Sequence, residues 1–124
     1  MTTFAIDCDP GNRGRFDPDT VVVAVDVIRA TTTAVTAVSQ GRRCFIVPTV
    51  EHAFGLSGKI PNALLAGEQG GDPVPGFQAN NSPAHIASRA DIERPIILLS
   101  SSGTKLIYNV RGARGVFKIG RAHV

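Results

Sequence analysis

Residues 21–33 read VVVAVDVIRATTT: an apolar run ends on an acidic residue, and a basic residue and three hydroxyls follow within seven positions. The run Val21–Val25 is too short to cross a membrane and is rich in valine, which predicts a strand buried on both faces of a parallel sheet. Asp26 then stands where a carboxylate is costly unless it is paired, with Arg29 for instance, or bound to metal. Ala30, Ala34, Ala37 and Val38 fall at i, i+4, i+7 and i+8, the spacing of a helix, and Thr31, Thr32 and Thr33 are expected to cap its start. A helix N-terminus presents free N–H groups and the positive end of a dipole, which suits a phosphate or another oxyanion, with Arg29 beside it.

Working outward, Gln40-Gly41 closes this helix, residues 43–47 read as a second strand, and residues 50–58 read as a helix ended by Gly58. A third apolar piece covers residues 63–66, residues 83–88 form a short helix capped by Ser82, and residues 95–99 form another buried strand. The turn SSSGT at residues 100–104 leads into a helix over 105–109, and Gly115-Val116-Phe117 begins a further strand. Strand and helix alternate, which predicts an α/β fold: a three-layer α/β/α arrangement around a largely parallel sheet. Three strand-to-helix turns rich in hydroxyls then meet at the carboxyl end of one sheet, where ligands collect in open α/β folds.

From Gly67 the composition changes to GEQGGDPVPGFQANNSP, and its three prolines and four glycines predict a long irregular loop of the functional kind. Glu68, at the end of a strand, is the one acidic group placed like Asp26. Asn80, Asn81 and Ser82 lead into Pro83, with Ser82 as the helix cap and Asn80 or Asn81 as either a ligand contact or simply part of a turn.

The chain has 124 residues, 43% hydrophobic and 19% charged, which fits one domain or a piece of one. Its formal charge of +3 comes from scattered Lys and Arg with 6% aromatics, so nucleic acid is not an expected partner. Cys8 and Cys44 have no metal-ligand spacing and are expected to be buried free thiols. His52, His85 and His123 are equally isolated, which leaves zinc unsupported. No run approaches the roughly 20 apolar residues of a membrane span, and no basic segment with an apolar core opens the chain, so a cytoplasmic protein without a membrane partner is expected.

Near the start, Asp7 and Asp9 in IDCDPG resemble the acidic opening of the nucleoside hydrolases, where such carboxylates hold calcium. The paired aspartates that follow in that family are replaced here by Asn12, Arg13 and Gly14, and a strand-end turn is the preferred reading. At the other end, residues 118–124, KIGRAHV, resemble the translation of a common short-read sequencing adapter. The natural sequence is therefore expected to stop near Phe117, with residues 1–117 the N-terminal part of a single, truncated and so incomplete α/β domain and residues 118–124 a non-native tail. Without Lys118 and Arg121 the chain keeps 11 basic against 10 acidic side chains. A truncated sheet exposes an edge and part of the core, which predicts poor solubility.

DVIRATTTAVTA, AGEQGGDPVPGFQANNSP and SSSGT together resemble the 2-phosphosulfolactate phosphatase family. That family carries a DVLRATTT-like join, a GERGG…GFDLGNSP-like loop and a TTNGT-like turn in this order, and the resemblance covers roughly residues 20–107. Three ordered motifs are far more specific than any one of them. This chain departs at Gln69 for the Arg of GERGG, at Gln78-Ala79-Asn80 for DLG, and at Ser102 for the Asn of TTNGT. The resemblance implies a longer parent chain and a magnesium-dependent phosphatase that turns 2-phospho-3-sulfolactate into sulfolactate and phosphate on the route to coenzyme M.

Phosphoryl transfer needs its developing charge neutralised, and Mg²⁺ takes one or two carboxylates together with waters and phosphate oxygens. On that basis Asp26, Arg29 and Glu68 are the expected catalytic residues, with Asp26 and Glu68 on the metal side. Thr31, Thr32, Asn81, Ser82, Ser102 and Thr104 are the expected contacts of a small phosphorylated organic acid. The DxDxT pattern of aspartate phosphatases is absent, so direct attack by water is expected rather than an aspartyl phosphate at Asp26. The alternatives are a non-catalytic anion-binding domain of the same fold and the calcium-dependent nucleoside hydrolase. A homo-oligomer of the full-length protein is compatible with either phosphatase or binding domain.

Overall fold

The computed structural model describes residues 3–8, 16–101, 103–110 and 112–120. Six strands and four helices follow in the order β1 (Val21–Val25), α1 (Ala30–Ser39), β2 (Cys44–Val47), α2 (Val50–Ser57), β3 (Leu64–Gln69), β4 (Asp72–Pro73), α3 (Pro83–Ala87), β5 (Ile96–Leu99), α4 (Gly103–Asn109) and β6 (Gly115–Ile119). The strands form two sheets where the sequence suggests one: a parallel pair β1-β6, and a four-stranded sheet in the order β2-β5-β3-β4. In the larger sheet β5 runs parallel to both β2 and β3, and only the short β4 is antiparallel.

β5 is the spine of the molecule. Ile96, Ile97, Leu98 and Leu99 are all at most 1% exposed, a burial worth about 1.5–3 kcal/mol per side chain. Alternation sends Ile96 and Leu98 to one face, where with Leu64 and Ala66 they meet Ala34 and Ala37 of α1 and Ile86 of α3. Ile97 and Leu99 go to the other face, with Leu65 and Val47, against Ala53, Val50 and Leu56 of α2. These are the expected three layers, α/β/α.

The expectation that β1 is buried on both faces is corrected. Ala24 is 1% exposed, but Val21, Val23 and Val25 on the opposite face are open, Val25 to 69%. The register sets Val23 opposite Phe117 and Val25 opposite Ile119, so five apolar side chains of the pair share one uncovered face. Among the described residues β1 pairs with β6 alone. Valine content registers strand propensity and cannot by itself count covering layers.

Helix α1 also starts earlier than the threonines suggest. Arg29 is its N-cap, with no side-chain capping bond, and Thr31, Thr32 and Thr33 lie inside the first turn. Thr33 is fully buried, and its Oγ1 donates to Arg29 O (3.0 Å) or to Asn81 O (3.3 Å). The far end closes as expected, with the Gly41 N–H donating to Val38 O (2.9 Å) and the Arg42 N–H to Ala37 O (3.0 Å), the paired bonds of a Schellman ending. Ser82 caps α3 as expected: its Oγ accepts from the His85 N–H.

The stretch after Gly67 is more regular than its glycines and prolines imply. β3 runs on to Gln69, turns through Gly70 and Gly71 at φ +63° and +94°, and pairs with β4 as a two-residue hairpin. The chain then returns beside β3. Gln78 N–H and Ala79 N–H donate to Leu65 O, the Leu65 N–H donates to the Gln78 side chain, and Ala66 bridges Ala79. Gln78, one of the departures from the family motif, thereby completes the hydrogen bonding of the β3 edge.

Residues 3–8 form no strand, and Phe4 and Ile6 are exposed. Cys8 is exposed rather than buried, and Cys44 is half-buried; both are free thiols. Asp9, Pro10 and Gly11 lie outside the described residues. β6 continues through Lys118 and Ile119, whereas residues 121–124 also lie outside the described residues.

At the opposite end of the strands from the hydroxyl-rich turns, Arg42 is buried to 0% exposure. It donates to Asp91 O (2.6 Å), Arg89 O (3.3 Å), Arg94 O (3.4 Å) and Asp91 Oδ1 (3.1 Å). Asp91 also receives Arg89 and Arg94, so one carboxylate gathers three guanidinium groups and holds the turn that feeds β5.

Candidate functional site

Four turns deliver polar groups to one small cavity. After β1 come Asp26 and Arg29; at the end of β3 come Glu68, Gly70 and Gly71; the loop before α3 brings Asn81; after β5 come Ser100 and Ser101. With Ile28, Ala30 and Leu99 these residues line a volume of ≈130 Å³. Drug-sized ligands occupy roughly 300–1,000 Å³, so this space suits a group the size of an oxyanion with its counter-ion. A wider, largely apolar recess of ≈370 Å³ opens beside it, lined by Val27, Ile28, Arg29, Thr32 and Pro83. Arg29 belongs to both.

Backbone geometry aims these groups. Gly67 has φ +132°, and a Cβ there would lie 2.7 Å from Leu99 Cβ and 2.8 Å from Leu99 O. Only glycine allows β3 to press against the end of β5 while turning Glu68 toward the cavity. Asp26 is anchored through its N–H to Ile119 O at 2.8 Å. A Cβ on Gly103 would sit 3.1 Å from Asp26 Oδ2, so the glycine of SSSGT lets the start of α4 approach that carboxylate.

Each carboxylate faces a cation. Arg29 Nη2 lies 2.8 Å from Glu68 Oε2, a pair partly open to solvent, and Lys118 Nζ lies 3.3 Å from Asp26 Oδ2, with both side chains 10% exposed. The pairing of Asp26 with Arg29 considered from sequence is therefore replaced by two separate pairs. Lys118 falls in the stretch that resembles adapter sequence.

Asp26, Arg29, Glu68 and Asn81 are thus brought together as expected. Thr32 lines the apolar recess instead. Thr31 and Thr104 are buried and do not line the cavity; Thr31 sits where a Cβ on Gly120 would touch it, at 2.9 Å from Cγ2. Ser82 does not line it either, because its hydroxyl is taken by the cap of α3. Ser102 lies outside the described residues. Ser100 and Ser101, which the motif resemblance does not single out, line the cavity as the first two residues off a fully buried strand, where ligands of α/β folds collect.

Polar satisfaction sets these residues apart. Buried polar side-chain atoms without a hydrogen-bond partner are uncommon in folded proteins. Here they include Thr31 Oγ1, Thr32 Oγ1, Asn81 Oδ1 and Thr104 Oγ1, four of the six residues expected to contact substrate. Gln40 and Arg42 carry others away from the cavity, and Lys118 Nζ adds one beside Asp26.

Among the described residues no group of three or more His, Cys, Asp and Glu side chains stands ready for a metal ion. Mg²⁺ needs less: one or two carboxylates and neutral oxygens, with water and substrate completing its shell. Asp26, Glu68 and the unpartnered Asn81 Oδ1 around one cavity fit that requirement. No helix of the described residues is long and apolar enough to cross a membrane.

Comparison with known proteins agrees with the motifs. Residues 11–120 match the family described as 2-phosphosulpholactate phosphatase. A probable 2-phosphosulfolactate phosphatase of Carboxydothermus hydrogenoformans is 43% identical over 97 residues, covering 77% of this chain and 40% of that protein. One of Deinococcus radiodurans is 41% identical over 88 residues, 70% of this chain and 36% of that protein. One of Bacillus subtilis is 29% identical over 111 residues, 89% of this chain and 49% of that protein. The chain therefore spans between about a third and a half of the length of the curated relatives it matches. With nearly all of its described residues inside the match, the chain belongs to the 2-phosphosulfolactate phosphatase family.

Proposed function

We propose that the protein is a phosphoric monoester hydrolase that cleaves 2-phospho-3-sulfolactate to sulfolactate and phosphate, with Mg²⁺ as cofactor, on the route to coenzyme M. The observation that carries the reading is the cavity itself: two carboxylates, an arginine and the buried Asn81 line one oxyanion-sized space in a chain of this family.

In this reading Arg29 binds the phosphoryl oxygens, exchanging part of its pairing with Glu68 for the substrate anion. Its place at the start of α1 adds the free N–H groups of that helix end to the same anion. Asp26 and Glu68 would hold Mg²⁺, which when bound would neutralise charge on the phosphoryl oxygens. Water attacks phosphorus directly: an O–P bond forms, the ester P–O bond breaks, and a cavity carboxylate takes the water's proton and passes it to the leaving alkoxide, giving sulfolactate and phosphate. Ser100 and Ser101 orient the phosphoryl group from the β5 side. No role is assigned to Lys118.

The test is inorganic phosphate release by the complete gene product from 2-phospho-3-sulfolactate and from a panel of other phosphomonoesters, with Mg²⁺ and with chelator. Magnesium-dependent release that is fastest with phosphosulfolactate is expected. Ligand binding without release from any ester would favour the anion-binding domain and overturn the reading.

A further inference from the structure

We infer that Asn81 is an oxygen ligand of the divalent cation at this site, acting through Oδ1 beside Asp26 and Glu68; the inference rests on the phosphatase reading above. Sequence alone places Asn81 among the contacts of the substrate anion, and the structure argues for the opposite charge.

The NNSP turn has three side chains that could reach a ligand, and two are already committed. Asn80 Oδ1 accepts from the Ser82 N–H (3.1 Å) and lies 3.1 Å from His85 Nδ1, and Ser82 Oγ accepts from the His85 N–H. Asn81 differs. It is 7% exposed, lines the cavity, and its Oδ1 is buried without a hydrogen-bond partner. Its backbone is pinned as well, since the fully buried Thr33 hydroxyl reaches Asn81 O at 3.3 Å. The backbone is therefore held in place by the fold, and the side-chain oxygen is left without a partner.

An unpaired buried acceptor costs about 1–3 kcal/mol, a penalty that a ligand can remove. The ligand must be a donor or a cation, because an amide oxygen is only a lone-pair source and repels phosphate oxygens. Asp26 and Glu68 line the same cavity. A neutral carbonyl-type oxygen with two carboxylate oxygens is a hard donor set of the kind that Mg²⁺ and Mn²⁺ take. Arg29 remains for the anion.

Mn²⁺ binding to the complete gene product, followed by the loss of its free electron-spin-resonance signal, tests this without reference to catalysis; orthophosphate binding is measured in parallel by calorimetry. Asn81→Ala is expected to weaken Mn²⁺ by about tenfold or more. Asn81→Asp, which adds a negative charge at the same place, is expected to bind Mn²⁺ tighter than the parent by about threefold or more. Thermal melts in chelator verify that each variant is folded, and Asn81→Asp alone decides the matter if Asn81→Ala does not fold. Mn²⁺ affinity within twofold of the parent in both variants overturns the inference. So does Asn81→Asp that loses orthophosphate and leaves Mn²⁺ unchanged, since that marks an anion contact. Mn²⁺ bound through Asn81 by a protein that hydrolyses no ester upholds the inference and removes the phosphatase reading. Hydrolysis by a protein whose Mn²⁺ affinity ignores Asn81 does the reverse.

Discussion

Gly67→Ala puts the largest burden on the smallest change. The residue has φ +132° and lies opposite Leu99 in the β3/β5 ladder, where an added methyl would meet Leu99 Cβ at 2.7 Å, Leu99 O at 2.8 Å and Leu99 N at 3.0 Å. Two costs combine. Holding a non-glycine residue in that backbone region takes about 1–3 kcal/mol. Forcing a methyl into a packed site takes about 1–3 kcal/mol more, because neither the backbone nor the 1% exposed Leu99 has room to yield. The sum, about 2–6 kcal/mol, is a large part of the roughly 5–15 kcal/mol that holds a domain together. At about 3–6 °C per kcal/mol for a chain of this size, melting should fall by about 6 °C or more. Gly71→Ala is the internal reference: its φ is +94°, but nothing lies within 4 Å of the added Cβ, so it should show the backbone cost alone. Thermal and urea melts of both variants measure the difference. Gly67→Ala melting within about 2 °C of Gly71→Ala would refute the close approach of β3 to β5, and with it the placement of Glu68.

Arg42→Ala leaves the Asp91 carboxylate and three backbone carbonyls without their buried partner, so a loss of about 3–5 kcal/mol in urea unfolding is expected. The Arg89 guanidinium, followed by that of Arg42, holds the Asp91 carboxyl well below the usual carboxylate range against the opposing effect of burial. A carboxylate depressed on folding stabilises fully above its unfolded value of about 3.9, and this is lost as pH falls through the folded value. Asp91→Asn should therefore flatten the fall in stability below about pH 4, as read from melts along an acid series. Burial pushes the Cys44 thiol up to about 11 despite the nearby Lys118, whereas Cys8 is exposed. At pH 8 Cys44 should react with a disulfide reagent about a hundredfold or more slower than Cys8, and Cys8→Ser should remove the fast phase.

Much of this architecture is legible because local pattern and tertiary role coincide. β5 is a four-residue apolar run bounded by Pro95 and a serine turn, and it is the fully buried spine. Ser82-Pro83 announces α3, and Gln40-Gly41 ends α1, through hydrogen bonds that are local in sequence. What stayed hidden depends on contacts made at a distance. Arg29 finds Glu68 across 39 positions, and nothing in DVIRATTT distinguishes that partner from Asp26. The valines of β1 look like those of a strand covered on both sides, yet coverage is a property of neighbouring layers. Arg42 is the most deeply buried charged side chain described, and its sequence neighbourhood, GRRC, gives no sign of the carbonyls that converge on it.

The same division holds for the site. Asp26, Glu68 and Asn81 were findable because each follows an apolar run or opens a helix-starting turn. Thr31 and Thr104 were placed in the cavity on the strength of their motifs, but their position in the first turn of a packed helix carries their side chains behind its wall. Glycines say where a wall can be thin. Gly67 stands where a side chain would collide with Leu99, and Gly103 where one would press tightly on Asp26.

Phosphate release from 2-phospho-3-sulfolactate by the complete gene product and its Asp26→Asn variant, in Mg²⁺, bears most directly on the central claim. Loss of a charged group that acts at the phosphoryl centre should lower kcat by about a hundredfold or more while the melting temperature stays within a few degrees of the parent. Unchanged magnesium-dependent release from Asp26→Asn would contradict the account, because the cavity between β1, β3 and β5 would then not be where the ester is cleaved.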